Sequence, residues 1–168
     1  MNFKKIFLSI LLIFGMFGGY YSFNNQKREV PKVYNNKMES VSLEKGAKVV
    51  YVWSSSCGPC VQSLAFVNFL KNSLSEFNIP VYMVLTSSEV VLQNYAKAHL
   101  IRYKMKDFPT FFEVNNEFSK YFNVQITPTW LIFNKKGELI EKREGFVQWN
   151  NPNILNQLKE DLEIKAKD

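Results

Sequence analysis

Both cysteines of this chain stand two residues apart, in the stretch Val52-Trp53-Ser54-Ser55-Ser56-Cys57-Gly58-Pro59-Cys60. Such a pair can be a metal half-site, a structural staple or a redox centre. Structural zinc needs four ligands, and Cys57 and Cys60 supply two. The single histidine, His99, adds a third at most and sits on the polar end of an expected helix. A staple is equally poor, because a disulfide over two intervening residues removes little unfolded-state entropy. The flanks favour redox chemistry. Ala47 to Trp53 is a β-branched and aromatic run that reads as a buried strand, and Pro59 suits the first turn of a helix after it. A strand would thus deliver the pair to a helix N-terminus, where unpaired N–H groups favour the thiolate of Cys57. Cys60, within bonding distance and deeper, would resolve a mixed disulfide formed at Cys57. Gly58 and Pro59 keep the turn tight, and C-x-x-C in a β-α-β setting is a strong redox pattern.

The rest of the chain supplies that setting. The helix after Pro59 is expected to bury Phe66, Phe69, Leu70 and Leu74 and to stop at Asn78-Ile79-Pro80. Val81 to Thr86 reads as a second buried strand. Ser87 or Ser88 is expected to cap a helix to about His99. Phe108 to Val114 reads as a short extended piece and Asn116 to Phe122 as a short helix. Thr129 to Asn134 and Glu138 to Lys142 form a hairpin around Lys135-Lys136-Gly137. Asn151 caps, and Pro152 opens, a last helix with an apolar stripe of Ile154, Leu155, Leu158 and Leu162. This order implies an α/β fold, a central mixed sheet flanked by helices.

The first 37 residues differ in kind. Lys4 and Lys5 precede an uncharged run from Ile6 to Phe23, long enough to be a membrane-span candidate at ~18 residues. Gly18 and Gly19 are followed by Tyr20 and Tyr21, without the small-x-small pattern of a cleavage site. An uncleaved anchor over residues 1–23 is expected, with a cleaved and secreted form as the alternative. Residues 24–37 are polar and read as a linker, and the domain is expected over 38–168. The net charge is +6, with scattered lysines. No segment alternates aromatics with arginine, so no nucleic-acid partner is expected.

"VYVWSSSCGPC" after a buried strand resembles the thioredoxin superfamily, and the arrangement from about Met38 to Lys165 resembles its membrane-anchored bacterial branch, the TlpA/ResA/DsbE-like proteins. Ile126-Thr127-Pro128-Thr129 before "WLIF" resembles the family's cis-proline loop. The helix from Ser88 with "FPTFFEV" resembles the β-α insertion of that branch, and "NKKGELIEKREGF" its closing hairpin. Pro109 also follows the X-Pro-Thr pattern, but Pro128 is the better match because a strand and a Gly-turn hairpin follow it directly.

The resemblance implies a thioredoxin-like fold and a thiol–disulfide oxidoreductase, with Cys57 the nucleophile and Cys60 the resolving thiol. Thr127 and Pro128 would then contact substrate, with Trp53, Gly58 and Pro59 supporting; Trp53 reads equally as core. The redox-active disulfide itself is the only cofactor expected, with no metal. Protein thiols or disulfides would be the substrates, and a membrane thiol transporter of the DsbD/CcdA type the electron partner. The protein would be a monomer held at a bacterial inner membrane through residues 6–23, with its domain on the extracytoplasmic side. Gly58-Pro59 resembles the dipeptide of reducing thioredoxins, so a reductase is expected. The alternatives are an oxidant or isomerase, a cytochrome c maturation reductase, or a non-catalytic binding module. Three departures stand out, the first being Ser56 where the family often has an aromatic directly before the first Cys. The strand Val49 to Trp53 holds no acid, and no Glu follows Cys60 within Val61 to Leu64. The proton of Cys60 must therefore use water, a hydroxyl or a more distant acid. The Phe111-Phe112 pair reads as core or as an interface.

Overall fold

The structure is a computed structural model and describes residues 29–164 apart from 44 and 88. The anchor expected over 1–23, the first five residues of the linker (24–28) and the proposed cap Ser88 lie outside the described residues. Among the described residues no helix is long and apolar enough to cross a membrane.

One mixed sheet organises the domain. Its strands are β1 (Val33–Tyr34), β2 (Ser40–Val41), β3 (Lys48–Trp53), β4 (Val81–Leu85), β5 (Thr110–Phe112), β6 (Thr129–Phe133) and β7 (Leu139–Glu144), in the spatial order β2-β1-β5-β4-β3-β6-β7. The inner strands β3, β4 and β5 run parallel, whereas β6 and β7 add an antiparallel hairpin beside β3. Helices α1 (Gly58–Ser75), α2 (Val90–Arg102), α3 (Glu117–Tyr121) and α4 (Pro152–Asp161) connect and cover the strands. The segment between β4 and α3 supplies α2 and β5, and β5 extends the sheet beside β4.

Every residue of β3 is buried, and its side chains alternate between two cores. Val49, Tyr51 and Trp53 join Leu64, Val67, Leu70 and Leu74 of α1, Ala96 and Leu100 of α2, and Leu158 of α4. Val50 and Val52 join Tyr82, Leu131, Phe133 and Phe118 of α3. A strand buried on both faces reads as a continuous apolar run, which is why β3, β4 and β6 are legible in the sequence.

Several details differ from the sequence expectation. The folded unit begins at Pro31, ahead of the expected boundary at Met38. Val33 is buried, and Tyr34 pairs with Phe112 of β5 and stacks on its ring. Strands of two residues leave no alternating pattern to read, so β1 and β2 are invisible in sequence. In α1 the buried side is Cys60, Ser63, Leu64, Val67, Leu70 and Leu74. Phe66 is partly buried against the same core and packs edge-on against Phe146 at 5.1 Å, whereas Phe69 is exposed. The helix offers apolar residues on two sides, and packing against β3 selects one. Phe111 and Phe112 are both packing residues, Phe112 in one core and Phe111 against the other. Asn151 caps α4 as expected, accepting a hydrogen bond from the Asn153 amide at 3.0 Å.

Leu64 is fully buried between α1 and the sheet. Leu64→Ala is expected to lower the unfolding free energy of the oxidised protein by about 2–5 kcal/mol, measured as a shifted denaturant midpoint at unchanged slope.

Candidate active site

The chain leaves β3 at Trp53, turns through Ser54, Ser55 and Ser56, and enters α1 with Cys57 as its N-cap. Cys57 has an extended backbone, φ −87° and ψ 110°, and its Sγ accepts a hydrogen bond from the Cys60 amide at 3.2 Å. A sulfur thus occupies the place usually held by a capping oxygen. No acidic residue lies in the first turn of α1, so the partial positive charge of the helix start is left to a thiolate at Cys57. Pro59 lies in that first turn, where its missing N–H costs nothing. The side of Gly58 is open, with no atom within 4 Å of a Cβ built there.

Cys57 and Cys60 form a disulfide with Cα atoms 5.2 Å apart. Cys60 has no exposed surface, whereas Cys57 is partly exposed. Only one sulfur can therefore be reached from outside, and the other attacks or leaves from within.

The loop before β6 closes over the accessible sulfur. The Thr127–Pro128 peptide is cis, and the Thr127 carbonyl oxygen lies 3.5 Å from Cys57 Sγ. Pro128 is buried. The loop is held from both ends: Thr129 Oγ1 donates to the Ile126 carbonyl at 2.7 Å, and the Gly145 amide donates to the Pro128 carbonyl at 2.8 Å. Two segments about seventy residues apart in sequence, the C-x-x-C turn and the Thr127–Pro128 loop, are thereby brought into contact.

Beneath the pair, two hydroxyls stand where sequence reading found no acid. Tyr51 Oη donates to the Cys60 carbonyl at 2.8 Å, and Ser63 Oγ donates to the Pro59 carbonyl at 2.8 Å. Burial pushes the Tyr51 phenol well above its ordinary value, and a hydrogen bond with Ser63 offsets only part of that. Tyr51 is therefore a neutral hydroxyl that ties the first turn of α1 to β3. Sequence reading missed it, although its signal was there: alternation along β3 puts Tyr51 and Trp53 on the side that faces α1. Trp53 itself is fully buried and stacks on Tyr51 with ring centroids 6.4 Å apart, so it is placed as core below the site rather than at its surface.

A buried carboxylate also went unforeseen. Glu113 is 1% exposed and accepts hydrogen bonds from the amide and hydroxyl of Ser119. It satisfies the start of α3, whose N-cap Asn116 makes no side-chain cap bond. Glu113 lines a polar cleft of about 340 Å³ with Ser54 and Thr86. Among the described residues no three His, Cys, Asp or Glu side chains gather as a metal site.

Disulfide exchange is the chemistry this geometry supports, because one sulfur is open to attack and its neighbour is placed to displace whatever bonds to it. The protein is a thiol–disulfide oxidoreductase with a thioredoxin-like fold. Residues 26–158 match the Redoxin family, and the chain belongs to that family. It is 27% identical over 164 residues to the sporulation thiol-disulfide oxidoreductase A of Bacillus subtilis (strain 168), covering 92% of this chain and 93% of that protein. It is 25% identical over 155 residues to the thiol-disulfide oxidoreductase ResA of Bacillus cereus, covering 85% and 87%. In fold it is similar to the crystal structure of StoA from Bacillus subtilis, with a TM-score of 0.61, 19% identity and 79% and 96% of the two chains covered. It is similar to the pneumococcal exposed lipoprotein thioredoxin Etrx1 of Streptococcus pneumoniae, with a TM-score of 0.59, 20% identity and 77% and 98% covered.

Tyr51 carries a pH signature. The folded state holds a phenolic proton that the unfolded chain releases at about pH 10, so the associated stability is present below that pH and lost as pH rises above it. Tyr51→Phe is expected to flatten this part of the alkaline loss. The check is the thermal midpoint of both proteins, oxidised, between pH 8 and 11; parallel curves would exclude the assignment.

Proposed function

We propose that the protein is a reductase of protein disulfides on the extracytoplasmic side of a bacterial inner membrane, held there by residues 6–23. The observation that carries the reading is the partly exposed Cys57 sulfur at the start of α1, 3.5 Å from the Thr127 carbonyl and backed by a fully buried Cys60. Thr127 precedes the first ladder pair of β6, which is at Thr129. Its backbone stands where an extended substrate segment can add in strand fashion. The uncharged run of residues 6–23 supports the membrane assignment, and the oxidising compartments outside the cytoplasm are where protein disulfides persist.

In the reducing direction the thiolate of Cys57 attacks one sulfur of a substrate disulfide. A Cys57–substrate disulfide forms, and the first substrate sulfur leaves as a thiolate that takes up a proton. Cys60 then loses its proton and attacks Cys57 Sγ. The Cys57–Cys60 disulfide forms and the second substrate sulfur leaves. Two electrons and two protons have passed to the substrate. The cycle closes when a partner dithiol, of the DsbD/CcdA membrane type, reduces the Cys57–Cys60 bond. The disulfide is the redox group, and no further cofactor enters. Electron transfer needs only a transient encounter, so the chain works as a monomer. The Gly58-Pro59 dipeptide supports the reducing direction; an oxidant or isomerase would use the same two sulfurs in reverse.

Two measurements test this on the full chain in detergent. Equilibration in dithiothreitol or glutathione redox buffers is expected to give a potential near the ~ −270 mV of thioredoxin; one near the ~ −120 mV of DsbA would make the protein a disulfide donor. Cys60→Ser is expected to accumulate a mixed disulfide with a protein substrate, visible as a thiol-sensitive band on a non-reducing gel. Cys57→Ser should give no band, and a band with Cys57→Ser would reverse the assigned roles.

A further inference from the structure

Helix α2 carries apolar residues on the side that faces away from the sheet. Val90 is 70% exposed, Val91 62%, Tyr95 58% and Ile101 58%. At 3.6 residues per turn these four fall within one arc of about 140° along about 16 Å of helix. Ala96 and Leu100 occupy the opposite side, in the core. Asn94 and Arg102 share that arc, so the outer face is an apolar patch with polar breaks, and its four large exposed side chains call for an occupant.

Two features say what kind. Ser55 Oγ donates to the Leu92 carbonyl at 2.8 Å, so the N-terminal turn of α2 abuts the Ser54–Ser56 loop that leads into Cys57. The apolar arc thus lies, at Val91, one residue from a contact with that loop. From Glu89 to Asp107 the cations Lys97, Arg102, Lys104 and Lys106 outnumber the acids Glu89 and Asp107, and Asp107 lies 4.0 Å from Lys106. An open groove of about 630 Å³ runs beside the helix, lined by Lys97, Ile101, Thr110 and Phe111 among others.

We propose that the outer face of α2 and this groove dock the protein that exchanges disulfides with Cys57, through a segment of that protein that is apolar with acidic flanks. This rests on the reading of Cys57 as a centre for exchange with proteins. A second copy of the chain fits less well, because a two-fold contact through α2 would set its cations against their own copies. A bilayer surface is flat and would leave the groove between α2 and β5 unused.

The test uses the full chain in detergent, kept reduced by dithiothreitol with the rate of dithiothreitol alone subtracted, and three oxidised probes. These are a Cys peptide carried as a glutathione mixed disulfide and flanked by Leu, Phe and Glu, the same peptide with Lys in place of Glu, and oxidised glutathione alone. The Glu peptide is expected to be reduced faster than the Lys peptide. The double variant Val91→Glu with Tyr95→Glu is expected to lose about tenfold or more in kcat/KM on the Glu peptide, the scale of a lost central contact. It should leave oxidised glutathione unchanged, which also shows that the variant is folded. Equal rates on both peptides, or a variant that matches the unaltered chain on all three probes, would overturn the proposal. An unaltered chain that reduces none of the probes would instead bring down the exchange reading beneath it. Tyr95 should be protected from hydroxyl-radical labelling by the Glu peptide. Protection only by phosphatidylglycerol vesicles would assign the face to lipid, and protection only on raising protein concentration would assign it to a second copy; either overturns the proposal.

Discussion

The N-terminal turn of α1 holds backbone N–H groups that the helix itself cannot satisfy, and the protein answers them with a sulfur. Cys57 Sγ takes the Cys60 amide, no carboxylate competes in the first turn, and Pro59 removes one donor from the set. That local electrostatic demand favours an anion at this point, and a thiolate is the one the chain can supply. The remaining structure holds this turn in place and controls which sulfur meets solvent.

Three anchors do the holding. β3 enters from below, buried on both faces and so unable to shift register without exposing one core to the other. Tyr51 reaches from β3 to the Cys60 carbonyl and ties the helix turn to the sheet. The Thr127–Pro128 loop closes from the β6 side, pinned by Thr129 and Gly145. Apolar packing of Leu64, Val67, Leu70 and Leu74 on the sheet fixes the helix axis behind them. The difference in exposure between Cys57 and Cys60 follows: the cap faces out, and the residue one turn on faces the core.

Much of this was legible in the chain. β3, β4 and β6 are continuous apolar runs because both their faces are covered, and α4 announces itself through Asn151 and Pro152. The C-x-x-C pair, its place after a strand and the distinction between Thr127-Pro128 and Pro109 could all be read from local pattern. Other parts could not. β1 and β2 are two residues each and owe their existence to pairing with β5 and with one another. Phe69 has the same helical spacing as the true core positions and is exposed, so pattern alone could not rank the sides of α1. Glu113 looks like a surface acid in sequence and is buried because α3 needs its carboxylate.

The sequence by itself determined the chemistry available: two thiols, their spacing, a strand before them and a helix start at them. These are local properties, set by residues within a few positions of each other. Tertiary structure alone decided what surrounds those thiols. The approach of Thr127 to Cys57, the bond from Tyr51 to the Cys60 carbonyl, and the meeting of α2 with the Ser54–Ser56 loop all join residues brought together only by tertiary packing. Contacts of that kind depend on which apolar faces pair, and many pairings satisfy the same local pattern until the whole core selects one.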